Sequence, residues 1–97
     1  MLHTVNHSPF RSESLTTVLR YLLPGDVILL IEDGVYGAQA NTAFSEKIKE
    51  VLKNNEVCVL DPDLQARGIA SVIDGVRKVD YDGFVELVEK HQTTSWL

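Results

Sequence analysis

Apolar and polar positions switch repeatedly between two periods along this chain. Leu2-His3-Thr4-Val5 reads as a short first strand, broken by the turn formers Asn6-His7-Ser8-Pro9. Leu15, Val18, Leu19 and Leu22 then recur at i, i+3, i+4 and i+7, which predicts one apolar face of a helix. Ser8 or Ser12 is placed to cap that helix. Pro24-Gly25 stops it, because proline cannot continue the hydrogen-bond ladder and glycine accepts a left-handed turn. Val27-Ile28-Leu29-Leu30-Ile31 is apolar without alternation, the pattern of a parallel strand covered on both faces. Glu32-Asp33-Gly34 ends it, and Phe44, Ile48, Val51 and Leu52 mark the inner face of a second helix.

Val57-Cys58-Val59-Leu60 is a third strand of the buried type. Asp61-Pro62-Asp63 leads into a short helical stretch from Leu64 to Arg67, stopped by Gly68, and residues 69–75 carry no clear period. Val76-Arg77-Lys78-Val79 alternates with charge on one face, which predicts an edge strand. A last helix is expected from about Asp80, its cap, to Lys90, with Tyr81, Phe84, Val85 and Val88 on the inner face. The segment from His91 is polar until Trp96-Leu97 and carries no predicted element. Strands alternating with helices imply βαβ crossovers. The expected fold is therefore α/β: one small three-layer doubly wound domain over residues 1–97, with about four parallel strands. Sites in such sheets lie outside the carboxyl ends of the strands. Those ends are Asn6-His7-Ser8, Glu32-Asp33-Gly34, Asp61-Pro62-Asp63 and Asp80.

Composition narrows the function. A 97-residue chain buries roughly 65% of its unfolded surface, enough for one modest core. A net charge of −5 argues against gripping nucleic acid by bulk charge, which needs a clustered basic surface. The opening residues lack a basic region followed by an apolar core, so no secretory signal is expected. The longest apolar run, Val27 to Ile31, falls far short of the roughly 20 residues that span a bilayer. A soluble cytoplasmic protein is the expectation.

Few residues offer chemistry. The carboxyl edge carries Glu32, Asp33, Asp61, Asp63, Asp80 and Asp82, which could form a metal or phosphoryl pocket. Each also sits just before a predicted helix, where an acid serves as a cap or pairs with the helix dipole. Gly34-Val35-Tyr36-Gly37 follows a strand but lacks both glycine fingerprints for phosphate. Cys58 is the single thiol, so no disulfide within the chain and no cysteine-rich zinc site can form. Its place between Val57 and Val59 suits a core residue better than a reactive one. His3 and His7 would share a helical face, not a strand leading into a turn. Ser8 and Ser12 have no evident base. No catalytic, cofactor-binding or metal-binding residue is assigned, and no cofactor is expected. Phe10, Tyr36, Trp96 and Leu97 are the candidate interface residues, since aromatic side chains anchor interfaces as readily as they cover a small core. Alone, these residues describe an assembly component better than a free-standing enzyme.

Several segments resemble one family in order along the chain. Met1-Leu2-His3-Thr4-Val5-Asn6-His7-Ser8-Pro9-Phe10 resembles the opening "LHT…SP[FW]" of the TusB/DsrH family. Leu29-Leu30-Ile31-Glu32-Asp33-Gly34-Val35 resembles its "LL…DG[VI]", and Leu60-Asp61-Pro62-Asp63-Leu64-Gln65-Ala66-Arg67-Gly68 its "L…DL.ARG". Asp80-Tyr81-Asp82-Gly83-Phe84-Val85 resembles "DY..FV", and Trp96 the terminal tryptophan. The resemblance implies a DsrE/F-like fold and a non-catalytic subunit of a sulfurtransferase relay. In the TusB branch, the partners would be TusC-like and TusD-like subunits in a dimer of heterotrimers. The reactive cysteine would lie on the TusD-like partner. Sulfur would pass to a TusE-like acceptor and end as the 2-thio group of wobble uridine in tRNA, without direct nucleic-acid binding by this chain. DsrH-type chains can carry a cysteine in the first helix, and that position falls at Val18 here. The TusB branch is therefore favoured, with Cys58 the only thiol left as a sulfur-carrier candidate. A DsrH-like subunit of a DsrEFH sulfur-oxidation complex is one alternative. An independent ligand- or metal-binding domain using the acidic edge is another, and a homo-oligomeric module a third.

Overall fold

The computed structural model describes residues 1–96. Its strands are β1 (Leu2–Val5), β2 (Val27–Leu30), β3 (Glu56–Leu60), β4 (Arg77–Val79) and β5 (Thr93–Trp96). They form one five-stranded sheet in the order β4-β3-β2-β1-β5, and every pairing is parallel. The helices are α1 (Ser14–Tyr21), α2 (Ser45–Val51), α3 (Asp61–Ala66) and α4 (Tyr81–Lys90), with a 3₁₀ stretch over Glu32–Ala38.

The period-2 geometry of a strand sorts the apolar run of β2 onto both faces. Ile28 and Leu30 join Val5, Val57 and Val59 in a large cluster with Leu15 and Val18 of α1, Ile48 of α2 and Leu64 of α3. Val27 and Leu29 join Leu2, Cys58, Leu60 and Val79 in a smaller cluster under Leu87 of α4. The predicted three-layer α/β arrangement is present, but it is lopsided. α1, α2, α3 and the 3₁₀ stretch pack on one face, while the other is served by α4.

Two expectations are corrected. The sheet has five strands rather than about four, because Thr93–Trp96 pairs alongside β1. Its sequence, Thr-Thr-Ser-Trp, is polar because its side chains are only half covered at the sheet edge. The inner face of α4 also differs. Leu87 is buried and Phe84 packs against the smaller cluster, whereas Tyr81, Val85 and Val88 are 62%, 52% and 39% exposed. The helix is rotated so that only part of its apolar surface reaches the sheet. Asp80 caps it as expected, accepting a hydrogen bond from the Gly83 N–H at 2.8 Å.

Candidate functional site

The loops after β1 and β2 meet at the carboxyl edge. Gly34 makes this possible: a Cβ there would lie 2.1 Å from the Val5 carbonyl oxygen. The Ile31 N–H donates to that same carbonyl at 3.0 Å, so the start of the 3₁₀ stretch is tied to the end of β1. Beside this junction is a cleft of about 410 Å³ lined by Ser8, Phe10, Arg11, Asp33 and Tyr36. Two of the predicted interface residues, Phe10 and Tyr36, thus share one cleft. Phe10 is 52% exposed and meets Phe44 edge-on, with ring centroids 5.4 Å apart.

The acids of this edge are largely engaged in holding loops. Asp63 accepts a 2.6 Å hydrogen bond from the N–H of Glu32, which sits in the left-handed region at φ 50°. A non-glycine residue there is strained, and the Asp63 carboxylate fixes it. Arg67 donates to Asp33 at 2.8 Å and to the Asp63 carbonyl at 3.3 Å, pinning α3 to the 3₁₀ stretch. The contact with Asp33 raises the Arg67 pKa further. Asp61 accepts from Gln65 within α3 at 2.8 Å. Among the described residues, no three His, Cys, Asp or Glu side chains come together in a way that could hold a metal ion. The cleft offers a guanidinium and hydroxyl groups but no thiol.

Cys58 lies elsewhere. It is fully buried on β3 and faces α4, in the smaller cluster. Its Sγ donates to Glu56 Oε1 at 3.1 Å, and Arg77 holds the same oxygen at 3.1 Å. Burial, then the Glu56 hydrogen bond, push the thiol up to about 12. The thiolate that sulfur transfer needs is therefore suppressed at neutral pH. Val18, where a relay cysteine of the DsrH type would fall, is fully buried in the larger cluster.

Trp96 is brought to a place that spacing alone did not suggest. Its indole Nε1–H donates to His3 Nδ1 at 3.1 Å across the β5–β1 pair. The other ring nitrogen of His3 lies 3.0 Å from Asp26 Oδ2. With Nδ1 accepting, Nε2 carries the proton and donates to the carboxylate. Asp26 also accepts from the Leu23 N–H at 3.2 Å and from the Met1 amine at 3.0 Å. The His3 hydrogen bond leads the interactions that draw the Asp26 pKa down to about 2, against the opposing effect of burial. This network near the start of β2 was the main omission of the sequence reading. A parallel β1–β2 register was the one available signal, since it sets Asp26 beside the first residues of the chain. The fourth predicted interface residue, Leu97, lies outside the described residues. His7 is exposed in the loop after β1 while His3 is buried, so the two do not converge.

The overall fold is shared by solved structures. The ychN protein of E. coli superposes with a TM-score of 0.79 at 20% identity, covering 97% of both chains. A protein of unknown function from Methanobacterium thermoautotrophicum gives 0.75 at 17% identity, covering 97% of this chain and 95% of that one. These define the class by fold. The family is defined by sequence: a family model described as DsrH like protein matches residues 7–94, and the chain belongs to that family. The relatives it is similar to are more particular. Protein TusB of Enterobacter sp. (strain 638) is 41% identical over 100 residues, covering 99% of this chain and all of that protein. Protein TusB of Pectobacterium parmentieri is 37% identical over 98 residues, covering 99% and 100%.

Proposed function

We propose that this chain is a sulfur-relay subunit that carries no sulfur itself. It would complete a complex with TusC-like and TusD-like chains and serve the 2-thiolation of wobble uridine in tRNA. Membership in the DsrH-like family and full-length likeness to TusB proteins support the relay. The observation that carries the non-catalytic part is Cys58: the only thiol is buried and held protonated. Sulfur must then travel on a partner's cysteine. The carboxyl-edge cleft, with Arg11, Tyr36 and Ser8, would help to shape the surroundings of that partner site.

The test is complementation. Deleting the gene from its own organism should abolish the 2-thiouridine retardation of tRNA in mercury-containing gels. Both the wild-type gene and a Cys58→Ala version should restore it. Restoration by the wild type alone, with the variant folded and expressed, would mean that Cys58 carries sulfur. Unchanged tRNA in the deletion strain would remove the tRNA assignment and leave the DsrH-like alternative.

A further inference from the structure

We infer that the outward face of α4 is the surface on which a different protein subunit docks, one presenting an apolar groove bordered by lysines or arginines. The proposal rests on the heteromeric reading above and locates its contact. Tyr81, Val85 and Val88 stand at i, i+4 and i+7, so they form one stripe, and all three are exposed. Asp82, Glu86 and Glu89 repeat the same spacing one residue on and are likewise exposed. Turning about the helix at 3.6 residues per turn, the apolar stripe lies between the core-facing pair Phe84 and Leu87 and this acidic stripe. The apolar surface therefore continues outward from the core until it meets a line of negative charge. That is the anatomy of an interface, an apolar centre with a charged rim.

The charge decides the occupant. Among the described residues, Asp82, Glu86 and Glu89 make no ion pair, although exposed acids elsewhere do, such as Glu46 with Lys49 and Glu50 with Lys53. A second copy of this chain would set one acidic stripe against another, with Lys90 the only basic residue of each helix to offset them. Each copy would also bring its net charge of −5. Like charges held opposite one another are unfavourable and suppress that pairing. A basic-rimmed partner covers the stripe and satisfies the acids together.

Co-expression of the full-length chain with tagged TusC-like and TusD-like chains from the same organism tests this, with recovery on the tag as the readout. Wild type should be recovered with the tagged chains. Val85→Glu should lower recovery at least tenfold without a comparable loss of thermal stability. The double reversal Glu86→Lys, Glu89→Lys, confined to exposed positions, should also lower it. The control Glu46→Lys on α2 should not. Wild-type assembly with both α4 variants recovered equally well would overturn this inference and leave the functional reading standing. Failure of the wild type to assemble would overturn both. A concentration-dependent homodimer of the isolated chain, abolished by Val85→Glu in sedimentation, would show that a second copy is the occupant and refute the basic partner.

Discussion

Asp26→Asn is the substitution that most directly probes what holds the amino edge of the sheet together. The Asp26 side chain is 11% exposed and receives donors from His3, Leu23 and Met1. Holding its carboxyl at about 2 instead of 3.8 corresponds to about 2 kcal/mol of stability at neutral pH. The sign follows from the depressed value. The folded chain keeps the carboxylate charged where the unfolded chain begins to protonate. The stabilisation is therefore complete above about pH 4 and is lost as pH falls from 3.8 through 2. An asparagine retains one acceptor but turns an NH₂ toward a site built of donors. Urea unfolding should show the variant about 2 kcal/mol less stable than wild type at pH 7, an estimate from the carboxylate shift and the loss of charge-assisted bonds. The gap between the two proteins should narrow steadily between pH 4 and pH 2. Taking the difference cancels the other carboxylates, which titrate in both. A variant as stable as wild type at pH 7, or a gap that does not change with pH, would show that the Asp26 carboxylate does not hold this edge of the sheet.

Four further outcomes follow from the geometry. Gly34→Ala places a methyl group against the Val5 carbonyl and should cost about 3 kcal/mol, at the upper end for overpacking because backbone must move; a melt within error of wild type would contradict the close approach. Cys58, with its thiol near 12 rather than 9, should react with disulfide reagents at pH 8 about a thousandfold more slowly in the folded than in the unfolded chain. Comparable rates would show the thiolate to be accessible. Trp96→Phe removes the donor to His3 Nδ1 and should destabilise the chain by about 1–2 kcal/mol, the usual loss for a buried acceptor left unpaired. In the wild type, ¹⁵N shifts of the His3 ring should report the Nε2–H tautomer, and an Nδ1–H pattern would exclude the indole bond.

How legible the fold was in the sequence varied with burial. β2 and β3 announced themselves because both faces are covered, so nearly every position had to be apolar. The Leu15, Val18, Leu19, Leu22 spacing marked α1 because all four side chains belong to the larger cluster or pack against it. β5 was silent for the opposite reason. It binds through backbone groups to β1 at the sheet edge, and such pairing asks little of the side chains. The face of α4 was misjudged because spacing groups apolar residues by helical face but cannot say which group turns inward. Tyr81, Val85 and Val88 fit that pattern as well as Phe84 and Leu87 do, and only packing separates them.

The site was legible in residue types and not in their partnerships. The acids at the strand ends were visible, and capping accounted for Asp80, but the use of Asp63 to hold Glu32 and of Arg67 to hold Asp33 depends on loops more than thirty residues apart meeting. The same holds for the Trp96–His3–Asp26 network, which joins both ends of the chain to the start of β2. Local pattern cannot see such links, because the sheet order that creates them puts β5 beside β1. Once that order is fixed, Trp96 acquires a function beyond covering the core. Its indole sets the tautomer of His3, the tautomer aims a proton at Asp26, and the last strand is thereby joined to the first two. A residue offered by sequence as an interface anchor also ties the edge strand to the rest of the sheet. The apolar stripe of α4, offered as core, is by contrast left uncovered by the chain's own packing.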